Sequence, residues 1–399
     1  MDSYIYINLI SKQLIANVIP TLSNKENIKK IYLVLAGEMF EDKAKSLEKY
    51  YRSKGLQDIE IFHCLAPNDY YSLRRKAKGL FSDIKTFHPD DSIVLNATGG
   101  TKPMSLAFTQ EFDNLREKSM AIYMDTDNKK ITILSDRDGL PNLPYESVLD
   151  IEDYLRLNGF AADVWVDHFS QDHEPILSRF EMSQTLISAA NRSEQPISAL
   201  NKICQETNFS QNGKIFMSEV EIGFEPSGKL TQILDLAAAH GMIKWQNQTV
   251  IFESEEAARY LGGGWFEELI YLAAHDAGIE HIALSLKGHQ INNRKASQEE
   301  SVTNELDVVL LNNNQMMIIE AKTVNWKSPG SGQSVTLKLD SLTADLGGPF
   351  AKGLLASALE FKDSTRDRLN IKSNLIPYRV MSYQIVLNYL KEWKVKTDK

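Results

Sequence analysis

Two acids and a lysine sit inside apolar runs late in this 399-residue chain: Asn304-Glu305-Leu306-Asp307-Val308-Val309-Leu310-Leu311, then Asn312-Asn313-Asn314, then Gln315-Met316-Met317-Ile318-Ile319-Glu320-Ala321-Lys322. The pattern predicts two strands joined by a polar turn. Charges among Leu, Val, Ile and Met are costly to bury unless they are partnered or used. Side chains alternate along a strand, so Glu305 and Asp307 share one face, as do Glu320 and Lys322. An even-numbered hairpin loop puts both sets on the same side, and a four-residue loop sets Asp307 directly across from Glu320. An odd loop without a bulge separates them. Two carboxylates about 5 Å apart across a strand pair make a hard-oxygen site suited to Mg2+ or Mn2+. Such an ion stabilises charge on a phosphodiester under attack and activates water, and Lys322 is placed to orient that water or hold the phosphate. The competing reading is a solvated edge hairpin whose acids and lysine pair with each other. The surrounding apolar residues, which predict burial on both faces, weigh against it.

Asp307, twelve intervening residues, then Glu320-Ala321-Lys322 resembles the PD-(D/E)xK nuclease motif. That resemblance implies that Asp307 and Glu320 bind metal, that Ala321 adds its backbone carbonyl, and that Lys322 is catalytic. It also implies a glutamate from the preceding helix, here Glu267 or Glu268 in Gly262-Gly263-Gly264-Trp265-Phe266-Glu267-Glu268-Leu269-Ile270-Tyr271. Glu267 is preferred; the two point about 100° apart on a helix, and an exposed helical face is the ordinary reading of either. The expected helix runs from Ala257 to Ala277 with both acids in its middle.

A second stretch with chemistry in it is Asn96-Ala97-Thr98-Gly99-Gly100-Thr101-Lys102-Pro103-Met104. It leads from a strand end into a helix that holds Pro103 in its first turn. Two glycines allow close backbone approach, the free amides point outward, and Thr98, Thr101 and Lys102 add donors and charge. A helix start of this kind is a phosphate site, in an open sheet set in the crevice beyond the strand ends. The Ser11-Lys12-Gln13 loop after the first strand reaches the same place. A plain tight turn is the alternative. The spacing is neither that of a G-x-x-x-x-G-K-[ST] loop nor that of a G-x-G-x-x-G fingerprint.

Asn96 to Met104 resembles the signature of CARF domains, the sensors of cyclic oligoadenylate in type III CRISPR immunity, over about residues 1 to 145. The resemblance implies a pocket lined by Thr98, Gly99, Gly100, Thr101 and Lys102, with Ser11 and Gln13 from the first loop, and a homodimer that shares this pocket about a two-fold axis.

The elements around these motifs support both placements. Strands at Tyr4 to Ile10, Lys30 to Ala36, Asp58 to Phe62, Ser92 to Asn96 and Met120 to Asp125 alternate with helical spacing at Leu14 to Leu22, Phe40 to Ser53, Tyr70 to Phe87 and Pro103 to Glu117. Alternation of this kind predicts a parallel, doubly wound sheet, to which Lys130 to Leu134 adds an antiparallel strand. Asp150 to Gly159 reads as a connecting helix. A helix at Lys229 to His240 and a hairpin of Met242 to Trp245 with Thr249 to Phe252 suggest a winged-helix element, which without a basic recognition helix reads as a spacer. After the acidic hairpin come a flexible loop at Ser328 to Gly332, a segment from Leu339 to Ala356 returning to the sheet, and a terminal amphipathic helix from Ser382 to Trp393. The expected division is residues 1–145, a linker region 146–256, and a restriction-endonuclease-like α/β domain 257–399.

Composition bounds the rest. With 43% hydrophobic residues the chain is long enough for two or three cores. No run of about 18 apolar residues and no leader is present, which predicts a soluble, cytoplasmic protein without a membrane partner. Two distant cysteines, Cys64 and Cys204, and eight scattered histidines offer neither a disulfide framework nor a zinc site. A net charge of −9 argues against a broad basic nucleic-acid surface but not against a nuclease with local phosphate contacts. Candidates are Lys287, His289, Arg294 and Lys295 in one loop, and Lys327 and Lys338 after the motif.

Together the two motifs resemble CRISPR ancillary nucleases with one CARF and one PD-(D/E)xK domain per chain. The implied activity is a metal-dependent endonuclease on DNA or RNA in antiviral defence, idle until cyclic tetraadenylate binds. A ligand-sensing transcription regulator with a DNA-binding middle element is the alternative from another class, and the intact Asp307, Glu320 and Lys322 count against it. Hydrolysis of the activator by the CARF pocket itself lacks an evident acid-base group.

Overall fold

The computed structural model describes residues 3–64, 66, 68–113, 115, 119–126, 128–135, 142–167, 173–207, 218–291, 303–326 and 331–398. They fall into two compact units, one holding residues 1–160 and the other residues 161–290 and 301–398.

The first unit alternates β1 (Tyr4–Leu9), α1 (Ile15–Leu22), β2 (Ile28–Ala36), α2 (Glu41–Ser53), β3 (Ile59–Cys64), α3 (Tyr70–Phe87), β4 (Ser92–Asn96), α4 (Lys102–Phe112), β5 (Met120–Asp125) and β6 (Lys130–Ile133), ending in α5 (Ile151–Leu157). The sheet order is β3-β2-β1-β4-β5-β6, parallel except for β6. Every residue of β1 is buried, as expected of a central strand covered on both faces. One face packs on α3 and α4 through Leu73, Leu80, Phe81, Met104, Phe108 and Phe112. The strand order reverses between β1 and β4, so the ends of these two strands border the crevice of the sheet. The helix expected at Pro103 to Glu117 is described from Lys102 to Phe112.

The second unit opens with β7 (Phe160–Val166), α6 (His173–Ser178), α7 (Phe180–Arg192), α8 (Glu194–Gln205), β8 (Ser218–Glu221), α9 (Lys229–Ala239), β9 (Ile243–Gln246) and β10 (Thr249–Phe252). The strands β8-β10-β9 form a small antiparallel sheet beside these helices, a winged-helix-like arrangement. It continues through α10 (Glu255–Arg259), α11 (Trp265–Asp276), β11 (His281–Gln290), β12 (Thr303–Asn312), β13 (Gln315–Lys322), α12 (Ser331–Leu342), β14 (Ala351–Ser357), α13 (Asp363–Asn370), β15 (Leu375–Arg379) and α14 (Tyr383–Asp398). The main sheet runs β15-β14-β13-β12-β11-β7. Its middle is the acidic hairpin, antiparallel between β12 and β13, while β13, β14 and β15 are parallel. One apolar core joins α7, α8 and α9 to α11 and the sheet, from Ile176 to Leu390.

Three expectations about this unit need correction. The helix drawn from Ala257 to Ala277 is interrupted: a wide turn at Tyr260–Gly264, with Gly263 at φ 155°, separates α10 from α11. Three consecutive glycines give up helix propensity there, so Glu267 and Glu268 fall in the first turn of α11, not mid-helix. Leu339 lies in α12, and the chain re-enters the sheet only at Ala351. Ser331 and Gly332 begin α12, while residues 328–330 of the expected loop lie outside the described residues.

The hairpin turn is tighter than a three-asparagine loop. Asn312 pairs with Gln315, and Asn313 and Asn314 take φ 47° and 59° as a two-residue connection, the left-handed pair that such turns require and asparagine tolerates. Buried Asn312 anchors it, donating to Thr397 Oγ1 at 2.8 Å and Asp398 Oδ1 at 2.7 Å on α14. Asn312→Ala removes both of these hydrogen bonds and is expected to cost about 1–3 kcal/mol, read as a lower urea midpoint. An unchanged midpoint would show that the α14 anchor adds nothing.

Candidate active site and ligand loop

The two-residue turn fixes the register of β12 against β13. Val308 pairs with Ile319, Leu310 with Met317 and Asn312 with Gln315, so the next step along sets Asp307 opposite Glu320, with both side chains on one face. The paired register ends at Val308, and the Asp307 carboxylate takes over the next amide: Ala321 N donates to Asp307 Oδ2 at 2.8 Å. Lys322 Nζ then lies 3.1 Å from Asp307 Oδ2, 2.8 Å from Glu320 Oε1 and 3.1 Å from the Ala321 carbonyl. Asp307 and Glu320 are buried at 8% and 3% exposure. The three groups named from the hairpin motif therefore converge.

Their electrostatics follow from that crowding. Burial pushes the Asp307 carboxyl up, Lys322 opposes the shift, and Glu320 adds to it. Burial disfavours the Lys322 charge, but Asp307 and Glu320 outweigh it and hold the ammonium well above the usual lysine range. Glu267 is pushed up to about 8 by burial and then by Asp307, with Lys322 in opposition. Glu267 thus feels the charges of this cluster.

Glu268 does not. Its carboxylate is held by Arg179 at 2.6 and 3.2 Å, and Arg179 also reaches Glu256 and lies over the Tyr260 ring. That is a structural ion pair, partly buried and fully partnered.

Several partners were hidden from sequence reading. Lys338, read as a phosphate contact, stands on α12 with Nζ 3.1 Å from both Glu320 oxygens. Asn201 on α8 donates to the Thr323 carbonyl at 2.8 Å, and Trp326 Nε1 donates to Ser357 Oγ at 2.7 Å, so the chain leaving Lys322 is clamped from two elements. The register of β11 on β12 puts Ser285 opposite Asp307, and Ser285 has φ 52°. Lys287 and His289 are on β11 itself, not in a loop, and face Glu305 at 3.8 Å and Asp163 at 3.1 Å. Arg294, Lys295 and Lys327 lie outside the described residues.

Glu267, Asp307, Glu320 and the Ala321 carbonyl are hard oxygen donors, the class that Mg2+ and Mn2+ select. Burial first and then the facing Asp307 carboxylate press Glu267 upward, and a divalent ion would relieve the second of these. Among the described residues no three His, Cys, Asp or Glu side chains form a ready-made metal set; Lys322 Nζ occupies the space between Asp307 and Glu320.

In the first unit, the loop from β4 to α4 lies against the end of β1. A Cβ on Gly99 would stand 2.0 Å from the Leu9 carbonyl oxygen, and Gly100 has φ 78°. Thr101 caps α4, its hydroxyl accepting from Met104 N at 3.3 Å. The Thr98 hydroxyl, expected to serve a ligand, is already engaged: it donates to Asn96 Oδ1 and accepts from Met124 N, both at 2.7 Å. Ser11 Oγ accepts from Gln13 N at 3.3 Å. What remains for a ligand are the α4 start, the exposed Lys102, and Gln13, whose Oε1 has no hydrogen-bond partner. Beneath the loop, buried Asn17 and Asn96 donate to the Leu9 and Ala16 carbonyls and fix the strand ends. These asparagines carried no sequence signal beyond polarity in an apolar run.

Comparison with known proteins follows the same division. Residues 5–154 match the family model "Card1 CARF domain" and residues 254–381 the model "Card1-like, endonuclease domain". Protein VC1899 from Vibrio cholerae superposes with a TM-score of 0.80 at 18% identity, over 99% of this chain and 98% of that one. Can2 from Sulfobacillus thermosulfidooxidans, solved in complex with cyclic tetra-adenylate, gives 0.71 at 23% identity, over 98% and 97%. No curated protein matches.

Two substitutions test this geometry. Gly99→Ala forces backbone away from Leu9 and is expected to cost about 1–3 kcal/mol, seen as a lower melting temperature. Ser285→Gly releases the left-handed strain opposite Asp307 and is expected to gain about 0.5–1 kcal/mol net of glycine's entropy; a loss would show that Ser285 is not strained.

Proposed function

From a chain that carries a Card1-type CARF domain and a Card1-like endonuclease domain, we propose a divalent-metal-dependent endonuclease switched on by cyclic tetraadenylate, acting on DNA or RNA in type III CRISPR defence as a homodimer. The observation that carries the chemistry is the Lys322 ammonium held at 3.1 Å from Asp307 and 2.8 Å from Glu320 in a buried site.

Asp307, Glu320, Glu267 and the Ala321 carbonyl would hold the ion. The chemistry it supplies when bound is polarisation of the scissile phosphate and a lower pKa for attacking water. Lys322, charged and fixed by two carboxylates, orients that water and stabilises negative charge growing on the phosphoryl oxygens. Lys338 positions Glu320 through both carboxylate oxygens. Asn201 and Trp326 keep the strand end rigid, as a reacting group held to within a fraction of an ångström requires.

At the other end, the α4 start supplies the Lys102 amide and ammonium as donors for adenylate phosphates, and Can2, a protein of the same fold, was solved with cyclic tetra-adenylate. The activator acts only through a tighter hold on the active arrangement than on the idle one. The regulator alternative is disfavoured by α9: its exposed residues are Lys229, Gln232, Asp235 and Ala239, with no net basic face for a major groove. Among the described residues no helix is long and apolar enough to cross a membrane.

Incubation with plasmid and single-stranded nucleic acid, with Mn2+, should give cleavage that depends on cyclic tetraadenylate and stops with a chelator. Glu320→Ala and Lys322→Ala should each lower it by more than about a hundredfold while activator binding is unchanged by calorimetry. Cleavage that survives either change would contradict the assignment.

A further inference from the structure

The outer face of the first unit carries a groove of about 700 Å³ along α3, closed on one side by Glu111 and Leu115. Its character is unlike that of the chain as a whole. The protein has a net charge of −9, yet the 18 residues of α3 hold Arg74, Arg75, Lys76, Lys78 and Lys85 against a single acid, Asp83. Arg74, Arg75, Lys78 and Lys85 all line the groove.

Arg74 is spent on Glu111, with its guanidinium Nε 2.6 Å from Oε1, which neutralises the one acid among the described lining residues. Arg75, Lys78 and Lys85 are exposed, and among the described residues none has a carboxylate within ion-pair distance. Three like charges on one helix face repel one another, a cost in the free protein that a bound polyanion removes. At the end of this row Tyr71 is 70% exposed and lines the same groove. Its ring meets that of Tyr70 edge-on, with centroids 5.7 Å apart, and keeps most of its surface open. From Arg75 to Lys85 the helix rises about 15 Å, a length over which a nucleic acid strand presents several phosphates. Cations in a row track a phosphate backbone, and an exposed aromatic beside them offers a platform for an unpaired base.

We propose that this groove binds single-stranded nucleic acid, with Arg75, Lys78 and Lys85 on phosphates and Tyr71 stacked on a base. The proposal rests on the nuclease reading for the class of polymer, and gives that polymer a second hold on the unit that carries the ligand loop. A duplex lacks the unpaired base for Tyr71 and binds through the cations alone.

The test uses the full chain carrying Glu320→Ala, so that binding is read without cleavage and without activator. Fluorescence anisotropy follows a labelled 30-nucleotide single strand across a salt series. Arg75→Glu with Lys78→Glu and Lys85→Glu should weaken Kd at least tenfold at low salt and flatten the log Kd against log salt slope by about 2–3. Tyr71→Ala should weaken it about three- to tenfold at low and high salt alike, because stacking is not screened. A control reversal of Lys25, Lys45 and Lys49 changes the net charge by the same amount on other elements and should cost less than threefold. Equal losses in the two triple variants, no loss in the groove variant, or a loss that sedimentation traces to a dissociated dimer would each overturn the proposal. The nuclease reading fails separately: it falls if wild-type cleavage does not need Glu320, whatever the groove binds.

Discussion

An ammonium group lodged between two buried carboxylates is the interaction on which the second unit turns. Lys322 partners both Asp307 and Glu320 at a depth where an unpaired carboxylate is costly, with Lys338 as the second cation on Glu320, and Lys322 holds its charge because both acids face it. The arrangement depends on register. A hairpin slipped by one residue would send Asp307 to the opposite face of the sheet from Glu320. The left-handed pair Asn313-Asn314 and the tie from Asn312 to α14 are what prevent the slip. The glycine turn before α11 then brings Glu267, and not Glu268, to the same place.

The first unit depends on a different constraint, close approach of backbone to backbone. Gly99 lies so near the Leu9 carbonyl that no side chain fits, and β1, which ends at Leu9, and β4, which leads into the Gly99 loop, are the pair at which the sheet order reverses. Hydroxyls in the loop are mostly consumed in holding it: Thr98 ties Asn96 to β5, and Thr101 caps α4. What is left over at the α4 start is Lys102, exposed and positively charged, which suits a phosphate better than a neutral ligand.

Local signals were legible in the sequence. Alternating strands and helices up to Asp125, the apolar hairpin and its facing acids follow from periodicity, and the helix Tyr70–Phe87 and strands Ser92–Asn96 and Met120–Asp125 have the expected ends. Errors arose where distant residues decide. The Ala257 to Ala277 helix has continuous apolar spacing, but Gly262 packs against Cys204 and Gly263 against Thr323, contacts that no window of sequence contains. Lys338 read as a phosphate contact because its partner, Glu320, is 18 residues away in the sequence. That Glu268 is taken up in an ion pair depends on Arg179, 89 residues upstream, which no local pattern reveals.

The central claim is that Asp307 and Glu320, with the Ala321 carbonyl and Glu267, form a cation site next to Lys322. A crystal of the protein soaked in Mn2+ and measured for anomalous scattering tests it most directly. The account predicts a peak at about 2.0–2.4 Å from oxygens of Asp307 and Glu320, with Lys322 Nζ moved aside yet still in hydrogen-bond reach of one of them. Saturating Mn2+ with no peak there, and Lys322 still bridging both carboxylates, would contradict it.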